Sequence, residues 1–155
     1  MGETMSFNRK HTFFLSIIFI AFSCLSQEGE RTAESLAPTH ADAAIIIAKK
    51  SGLFDRYVAD DASLTDCVTF LNKAGIYFGL MEVVNGKEFT VKDCARVMGQ
   101  VELVFSGEAV FSYGKVILPK DIDSWEDFCT MNGVEYVDGY RALLDALRYS
   151  GRFRQ

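Results

Sequence analysis

The chain has 155 residues and a formal net charge of −5, and 49% of its residues are hydrophobic. This length suits a single domain, and the apolar content is high enough to bury a core, which excludes an intrinsically disordered protein. Acidic residues are in excess, and no cluster of Lys and Arg is larger than the pair Lys49-Lys50. The composition therefore excludes the basic surface of a nucleic-acid-binding protein.

The first element is an apolar run from Phe13 to Cys24, preceded by the short positive flank Arg9-Lys10-His11. A positive segment, an apolar run and then small residues are the order typical of a secretory signal peptide. The run is shorter than the roughly 20 apolar residues that a membrane-spanning helix needs. We therefore predict a signal peptide over residues 1–23, with an uncleaved N-terminal anchor helix as the alternative.

The residues Ala21-Phe22-Ser23-Cys24 resemble a bacterial lipobox, in which small residues precede a cysteine that is lipidated and becomes the mature N-terminus. Ala21 replaces the usual Leu, and in this the box is similar to the relaxed boxes of spirochaetal lipoproteins. The resemblance implies an exported protein, anchored through lipid on Cys24 to the periplasmic or outer-surface face of an envelope membrane. The alternative is ordinary cleavage after Ser23, which would release a soluble secreted protein.

The segment that follows the cysteine is polar, small and acidic, which is typical of a flexible tether. We place the lipidated cysteine and the tether at 24–41, a single helical domain at 42–151 and a short tail at 152–155. The two histidines of the chain are His11 and His40, which this division assigns to the leader and the tether. The predicted domain therefore contains no histidine.

The domain is predicted to be mainly α-helical, with four or five short helices in a small bundle. Three stretches place Ser or Thr at a helix start and Asp three residues later, which is the spacing of a capping box that satisfies the free N–H groups of the first turn. They begin at Ser63, Thr90 and Ser124. A further helix is predicted to start with Asp42 as its N-cap.

The helix from Thr90 to Phe105 is the best marked, because apolar residues recur along it at spacings of three and four. Arg96 and Gln100 fall on its opposite face and are predicted to point outward. The last helix is predicted over Val137 to Tyr149.

Two segments are less regular. Ile76 to Val84 is so apolar that periodicity does not distinguish a buried helix from a strand. Glu108 to Pro119 has β-branched and aromatic residues around Gly114-Lys115, which predicts a short β-hairpin.

Four cysteines are present, and three remain if Cys24 carries lipid. A disulfide between Cys67 and Cys94 would close a loop of about 28 residues and stabilise the fold by about 3–4 kcal/mol in the chain-entropy model. The alternative is that Cys67, Cys94 and Cys129 are buried as small apolar residues.

No motif in the sequence predicts catalysis. A domain without histidine excludes the usual Ser-His-Asp and Cys-His systems and zinc sites built on histidine. The acidic groupings at residues 60–66 and 121–127 coincide with helix entries. We therefore expect no catalytic residues, no metal and no cofactor. A secreted hydrolase that uses only acidic residues is the alternative.

Aromatic residues supply the candidates for a ligand groove, namely Phe111, Tyr113, Trp125 and Tyr140, although such residues more often form a core. A groove of this kind would suit a small apolar-ligand carrier. The interpretation that we carry forward is a membrane-anchored envelope lipoprotein. It would act as a non-catalytic binding or scaffolding module for an envelope protein partner.

Overall fold

The computed structural model describes residues 37–54 and 56–150 as a mainly α-helical fold with one short β-hairpin, which confirms the predicted fold class. The described helices are α1 His40–Lys49, α2 Leu64–Lys73, α3 Leu80–Val84, α4 Val91–Ser106, α5 Trp125–Asn132 and α6 Tyr136–Tyr149, and the strands are β1 Phe111–Ser112 and β2 Lys115–Val116. The predicted signal peptide, Cys24, most of the tether and the tail lie outside the described residues.

Helix α4 is the centre of the packing. It contacts α5, α6 and β2, whereas α1 packs mainly against α2 and touches α3 and α6. All of these elements contribute to one hydrophobic core. Helix α1 contributes small residues to it, and the other elements contribute larger apolar residues. Its fully buried members include Ala43, Ala44, Ala48, Leu71, Ile76, Phe78, Phe89, Ala95 and Val97.

Capping boxes begin α2 and α4 as predicted, at Ser63 and Thr90. The first helix also begins with one, but its N-cap is Thr39 rather than Asp42. The Oδ2 atom of Asp42 accepts hydrogen bonds from the backbone N of Thr39 at 2.8 Å and from its hydroxyl at 2.7 Å. Asp42 is therefore the third residue of the first turn, and the predicted N-cap is wrong because Thr39 and Asp42 together form the same box.

The folded domain begins before the predicted boundary at residue 41. Pro38 is buried, and its carbonyl accepts a hydrogen bond of 2.7 Å from the backbone N of Phe89. The backbone N of His40 donates to the carbonyl of Lys87 at 3.0 Å, and an antiparallel bridge joins Thr39 to Glu88 between these two bonds. Residues 38–40 thus belong to the fold, and the tether was predicted too long.

The segment between α2 and α3 is extended and mostly buried, and side chains pair several of its backbone groups. Asn72 brackets Phe78, accepting a hydrogen bond of 2.7 Å from its N and donating one of 3.0 Å to its carbonyl. Gln100 accepts a bond of 3.0 Å from the N of Tyr77 and donates one of 2.9 Å to the carbonyl of Val116. The stretch left undecided by the sequence is therefore a buried extended segment that ends in the five-residue helix α3.

Gln100 was predicted to point outward from α4, and this prediction is wrong because only 2% of the residue is exposed. A side-chain amide has the same donor and acceptor groups as a peptide unit. Gln100 uses its amide oxygen and nitrogen to connect the segment before α3 with strand β2. Arg96, also predicted to point outward, donates to the carbonyl of Tyr77.

The predicted β-hairpin is present. Phe111 pairs with Val116, and the two-residue turn between the strands places Tyr113 and Gly114 at φ 48° and 76°. Positive φ at both turn positions is typical of the type I′ hairpin turn. The hairpin lies against Gly75, where a Cβ atom would come within 2.5 Å of Cε1 of Phe111.

Replacing Gln100 with Met is expected to lower the free energy of unfolding by about 2–4 kcal/mol, because the partly buried N of Tyr77 and the buried carbonyl of Val116 lose their partners at about 1–3 kcal/mol each. Urea denaturation followed by circular dichroism measures the change. Lys92→Met on the exposed side of the same helix is the control, with an expected change of at most about 0.5 kcal/mol. Equal losses in the two variants would contradict the bridging role.

Candidate functional site

A buried polar cluster lies where the starts of α1 and α4 meet α3. At its centre is His40, which is 0% exposed. Its Nδ1 atom is 3.8 Å from Oε2 of Glu82, and its Nε2 atom is 3.6 Å from Oδ2 of Asp93. The edges of the ring meet Phe78 and Phe89. The prediction of a domain without histidine is therefore wrong, because the fold starts ahead of residue 40.

Each carboxylate of the cluster is held by a second group. Oδ2 of Asp93 accepts hydrogen bonds from the N and the hydroxyl of Thr90, and Oδ1 is 3.6 Å from a guanidinium nitrogen of Arg96. Oε1 of Glu82 accepts a hydrogen bond of 2.6 Å from the ammonium group of Lys87. These partners fix the carboxylates on either side of the imidazole.

The surroundings determine which groups are charged. Burial lowers the pKa of His40, and the nearby carboxylates of Asp93 and Glu82 only partly oppose this effect. The hydrogen bond from Lys87 lowers the pKa of Glu82. Burial acts to raise the pKa of Asp93, but the hydrogen bonds from Thr90 and the charges of His40 and Arg96 leave it below its ordinary value. The cluster thus combines a neutral imidazole with two carboxylates.

The imidazole of His40 is enclosed by the described residues. Neither ring nitrogen of His40 has a hydrogen-bond partner within the described part of the chain. A general base must reach the proton that it removes, and the His40 ring has no exposed atom to offer. Within residues 37–54 and 56–150, no group of three or more His, Cys, Asp or Glu residues is arranged to hold a metal ion.

The three described cysteines are buried free thiols, so Cys67 and Cys94 are not joined by a disulfide in the structure. Burial raises the pKa of Cys94 and of Cys129 to about 12. The two thiols donate hydrogen bonds of 3.3 Å to the carbonyls of Tyr136 and Ala95, respectively. Since the thiolate is the reactive form, these cysteines are suited to packing.

An apolar groove lies between α1, α4 and α6, and we call it the α1–α4–α6 groove. Its cavity volume is about 50 Å³. Small residues of α6, Gly139 and Ala142, leave space beside Met98 and Cys94 of α4. The full lining is Ile46, Ile47, Lys50, Ser51, Leu53, Phe89, Cys94, Val97, Met98, Val101, Gly139, Ala142 and Leu143.

None of the four predicted groove residues lines this groove. Phe111 and Tyr113 are in the hairpin, and Tyr113 is fully exposed at its turn. Trp125 packs over Gly99, where a Cβ atom would lie 2.5 Å from its Cε3 atom. Tyr140 is half-buried on α6. The spacing of Gly139 and Ala142 was the sequence feature that could have indicated the groove.

Helix α3 exposes three large apolar side chains, which we call the α3 face: Leu80 at 67%, Met81 at 67% and Val84 at 69% exposure. The ring of Tyr77 lies next to this helix, with its hydroxyl 3.2 Å from the position of a Cβ on Gly79. The ammonium group of Lys115 lies 4.7 Å from the centre of that ring. Sequence analysis missed the α3 face because it left this stretch undecided between helix and strand.

Comparison with protein-family models, with curated proteins and with solved structures found no match. Of the six described helices, none combines the length and the apolar content that crossing a membrane requires.

Acidification from about pH 7.5 to about pH 5.5 is expected to destabilise the protein, because the unfolded histidine takes up a proton near its ordinary pKa. The folded protein resists this protonation, since burial lowers the pKa of His40 from 6.5. The contribution of His40 to the free energy of unfolding is fully present at pH values above the ordinary pKa of histidine. It is lost as the pH falls toward the lower pKa that His40 has in the folded protein. Urea midpoints across this range measure the effect.

His40→Leu is expected to remove this part of the pH dependence. The pKa values of Glu82 and Asp93 are both lowered, so these groups lose their contribution only at more acidic pH. A rise in stability on acidification would show that an imidazolium paired with both carboxylates outweighs the cost of burial.

Proposed function

We propose that this protein is an envelope lipoprotein, anchored through Cys24, whose domain is a non-catalytic binding module for an envelope protein partner. The α3 face is the observation that carries the proposal. Large apolar side chains grouped on one exposed helix are typical of protein interaction surfaces.

The α3 face is held in place by its own helix. Val83 is buried in the core, and Glu82 lies against His40 and Lys87 on the side that faces the domain. A helix of five residues is not stable alone, so these contacts are what fix its position. The three exposed side chains are thus presented in a fixed arrangement, which reduces the entropy that a partner would lose on binding.

The surroundings of the α3 face also suit a protein partner. Polar and charged residues follow it directly, at Asn85, Lys87 and Glu88, and all three are exposed. An apolar centre with a polar rim is the usual composition of a protein–protein interface. Met81 adds a flexible side chain that adapts to the surface of a partner.

The polar groups of the domain support a role without catalysis. His40 is closed to solvent, and the thiols of Cys94 and Cys129 have a pKa of about 12. From the acidic groupings, Asp66 and Asp127 accept hydrogen bonds from the hydroxyls of Ser63 and Ser124 at their helix starts. These bonds account for both carboxylates as capping groups rather than as the acid and base of a hydrolase.

Labelled palmitate is expected to enter the protein in cells and to be lost in Cys24→Ala, because acylation requires that thiol. Autoradiography after membrane fractionation measures the label. Ser23→Ala keeps a small residue ahead of the cysteine and serves as the control that retains the label. Label that persists in Cys24→Ala would exclude the anchor.

A photo-crosslinking residue in place of Met81 is expected to capture one defined envelope protein, whereas the same residue in place of Lys73 on α2 is not. Both positions are exposed, so the comparison separates the α3 face from general surface contact. Leu80→Glu, added to the Met81 reporter, is expected to reduce the yield by about tenfold, since about 1.4 kcal/mol of lost affinity corresponds to that factor. Equal capture at the two positions would contradict the proposed interface.

A further inference from the structure

We propose that protonation of His40 at mildly acidic pH releases α3 from the domain and so withdraws the α3 face. The device consists of the buried imidazole and of residues 79–86, which lie against it and which we call the 79–86 segment. The release depends only on the geometry of the described residues. Its consequence for binding rests on the function proposed for the α3 face.

A proton on His40 would be a buried charge without a net counter-charge. Glu82 lies at Nδ1 of the ring and is paired with Lys87. Asp93 lies at Nε2 and is paired with Arg96. The two negative and two positive groups cancel, so a proton on the enclosed ring adds an uncompensated positive charge to the interior. Burying such a charge is costly.

The ring also lacks acceptors within hydrogen-bond distance. Its two nitrogens are 3.8 Å and 3.6 Å from the nearest carboxylate oxygens, whereas an imidazolium needs an acceptor within about 3.2 Å of each. Oδ2 of Asp93 is held in place by hydrogen bonds from the N and the hydroxyl of Thr90. Asp42, on the same helix as His40, accepts hydrogen bonds from Thr39. The phenylalanine rings that meet the edges of the imidazole offer no acceptor.

The 79–86 segment has the features of a unit that opens locally. Both of its flanks are fixed, because side-chain hydrogen bonds hold Phe78 and the carbonyl of Lys87 accepts a hydrogen bond of 3.0 Å from the N of His40. Between these flanks, α3 is five residues long, packs mainly against α1 and contributes Val83 to the hydrophobic core. Few buried contacts are typical of segments that open at low cost in free energy.

Glycines lie at both ends of this segment. Gly79 is the N-cap of α3 and provides no side-chain cap, and Gly86 has a φ of 62°, in the left-handed region. Release of α3 would move Glu82 away from Nδ1 and admit water to the ring of His40. Burial lowers the pKa of His40 while the segment is closed. The open form therefore takes up the proton more readily, and acid favours it.

The test is amide hydrogen exchange of the whole protein at about pH 7.5 and about pH 5.5, corrected for intrinsic rates. Low urea concentrations separate local from global opening. The reporters are the N atoms of Val83, Asn85 and Lys87, which donate to carbonyls of the 79–86 segment. The N of Val134, at the end of α5, is the reference, because α5 contributes no group to the His40 cluster.

The protection factor of the reporters is expected to be about ten at neutral pH and about two at acidic pH. The underlying opening constant rises by up to about tenfold, which is the factor that a histidine with an ordinary pKa of 6.5 gains when it protonates only in the open form. About half of the molecules would then have α3 released. The urea-independent exchange of Val134 should not change.

His40→Leu removes the proton acceptor and is expected to abolish the pH dependence of the reporters. Lys87→Met tests the charge argument separately if that variant fails to fold. The side chain of Lys87 is 56% exposed, and its loss leaves Glu82 as a counter-charge for the imidazolium. The rise in the opening constant is expected to shrink to about two- to threefold. Lys92→Met, an exposed lysine outside the cluster, is the matched control and should keep the full rise.

The effect on binding is measured with the crosslinking residue in place of Met81. Capture of the partner is expected to fall by about half at acidic pH, in step with the closed population. In the same reporter combined with Lys87→Met, capture should fall less. No capture at either pH would contradict the function proposed for the α3 face, and the exchange measurement would still decide whether His40 releases α3.

Three outcomes would overturn the inference. The first is protection of the reporters that stays constant or rises on acidification, which would show that the imidazolium draws Glu82 closer. The second is the full fall in protection in His40→Leu or in Lys87→Met. The third is capture that acid leaves unchanged although α3 is released.

Discussion

The pairing of residues 38–40 with residues 87–89 is the constraint on which the rest of the structure depends. It sets the starts of α1 and α4 side by side, each preceded by a threonine that caps its helix. The same pairing encloses His40 between Glu82 and Asp93, and the position of Glu82 fixes α3. Because α1 and α4 are joined at their starts and have only limited contact further along, the groove opens between their later turns.

In this small fold, polar side chains form hydrogen bonds with backbone groups that would pair with a neighbouring strand in a larger sheet. The described sheet is a two-stranded hairpin, and the N of Val116 in β2 donates a hydrogen bond of 3.0 Å to the carbonyl of Gly75. Further along the extended segment, Asn72 and Gln100 supply hydrogen bonds, one from the preceding helix and one from α4. Buried backbone groups must be paired, and this requirement explains why the side-chain amide of Gln100 is buried in the interior. The arrangement ties the central helix to both the hairpin and the segment that leads into α3.

The helices were predictable because their capping boxes lie within a few consecutive residues. The sites were not predictable because they depend on contacts between residues far apart in the sequence. Ser63 and Thr90 were found because a capping box lies within four consecutive residues. Thr39 forms the same box but was missed, since the polar stretch ahead of it has the composition of a tether. The partners of Gln100 are 23 and 16 residues away in sequence, so nothing near it indicated burial. The groove needs three helices at once, and only the small residues of α6 give a local trace of it.

The way in which the chain enters the domain determines how mechanical load would reach it. The chain enters at Pro38, directly into the pairing with Phe89 and beside the helix that carries Leu80. For a domain held from its N-terminal side, a pull arrives at this pairing first, and the hydrogen bonds there share it between α1 and α4.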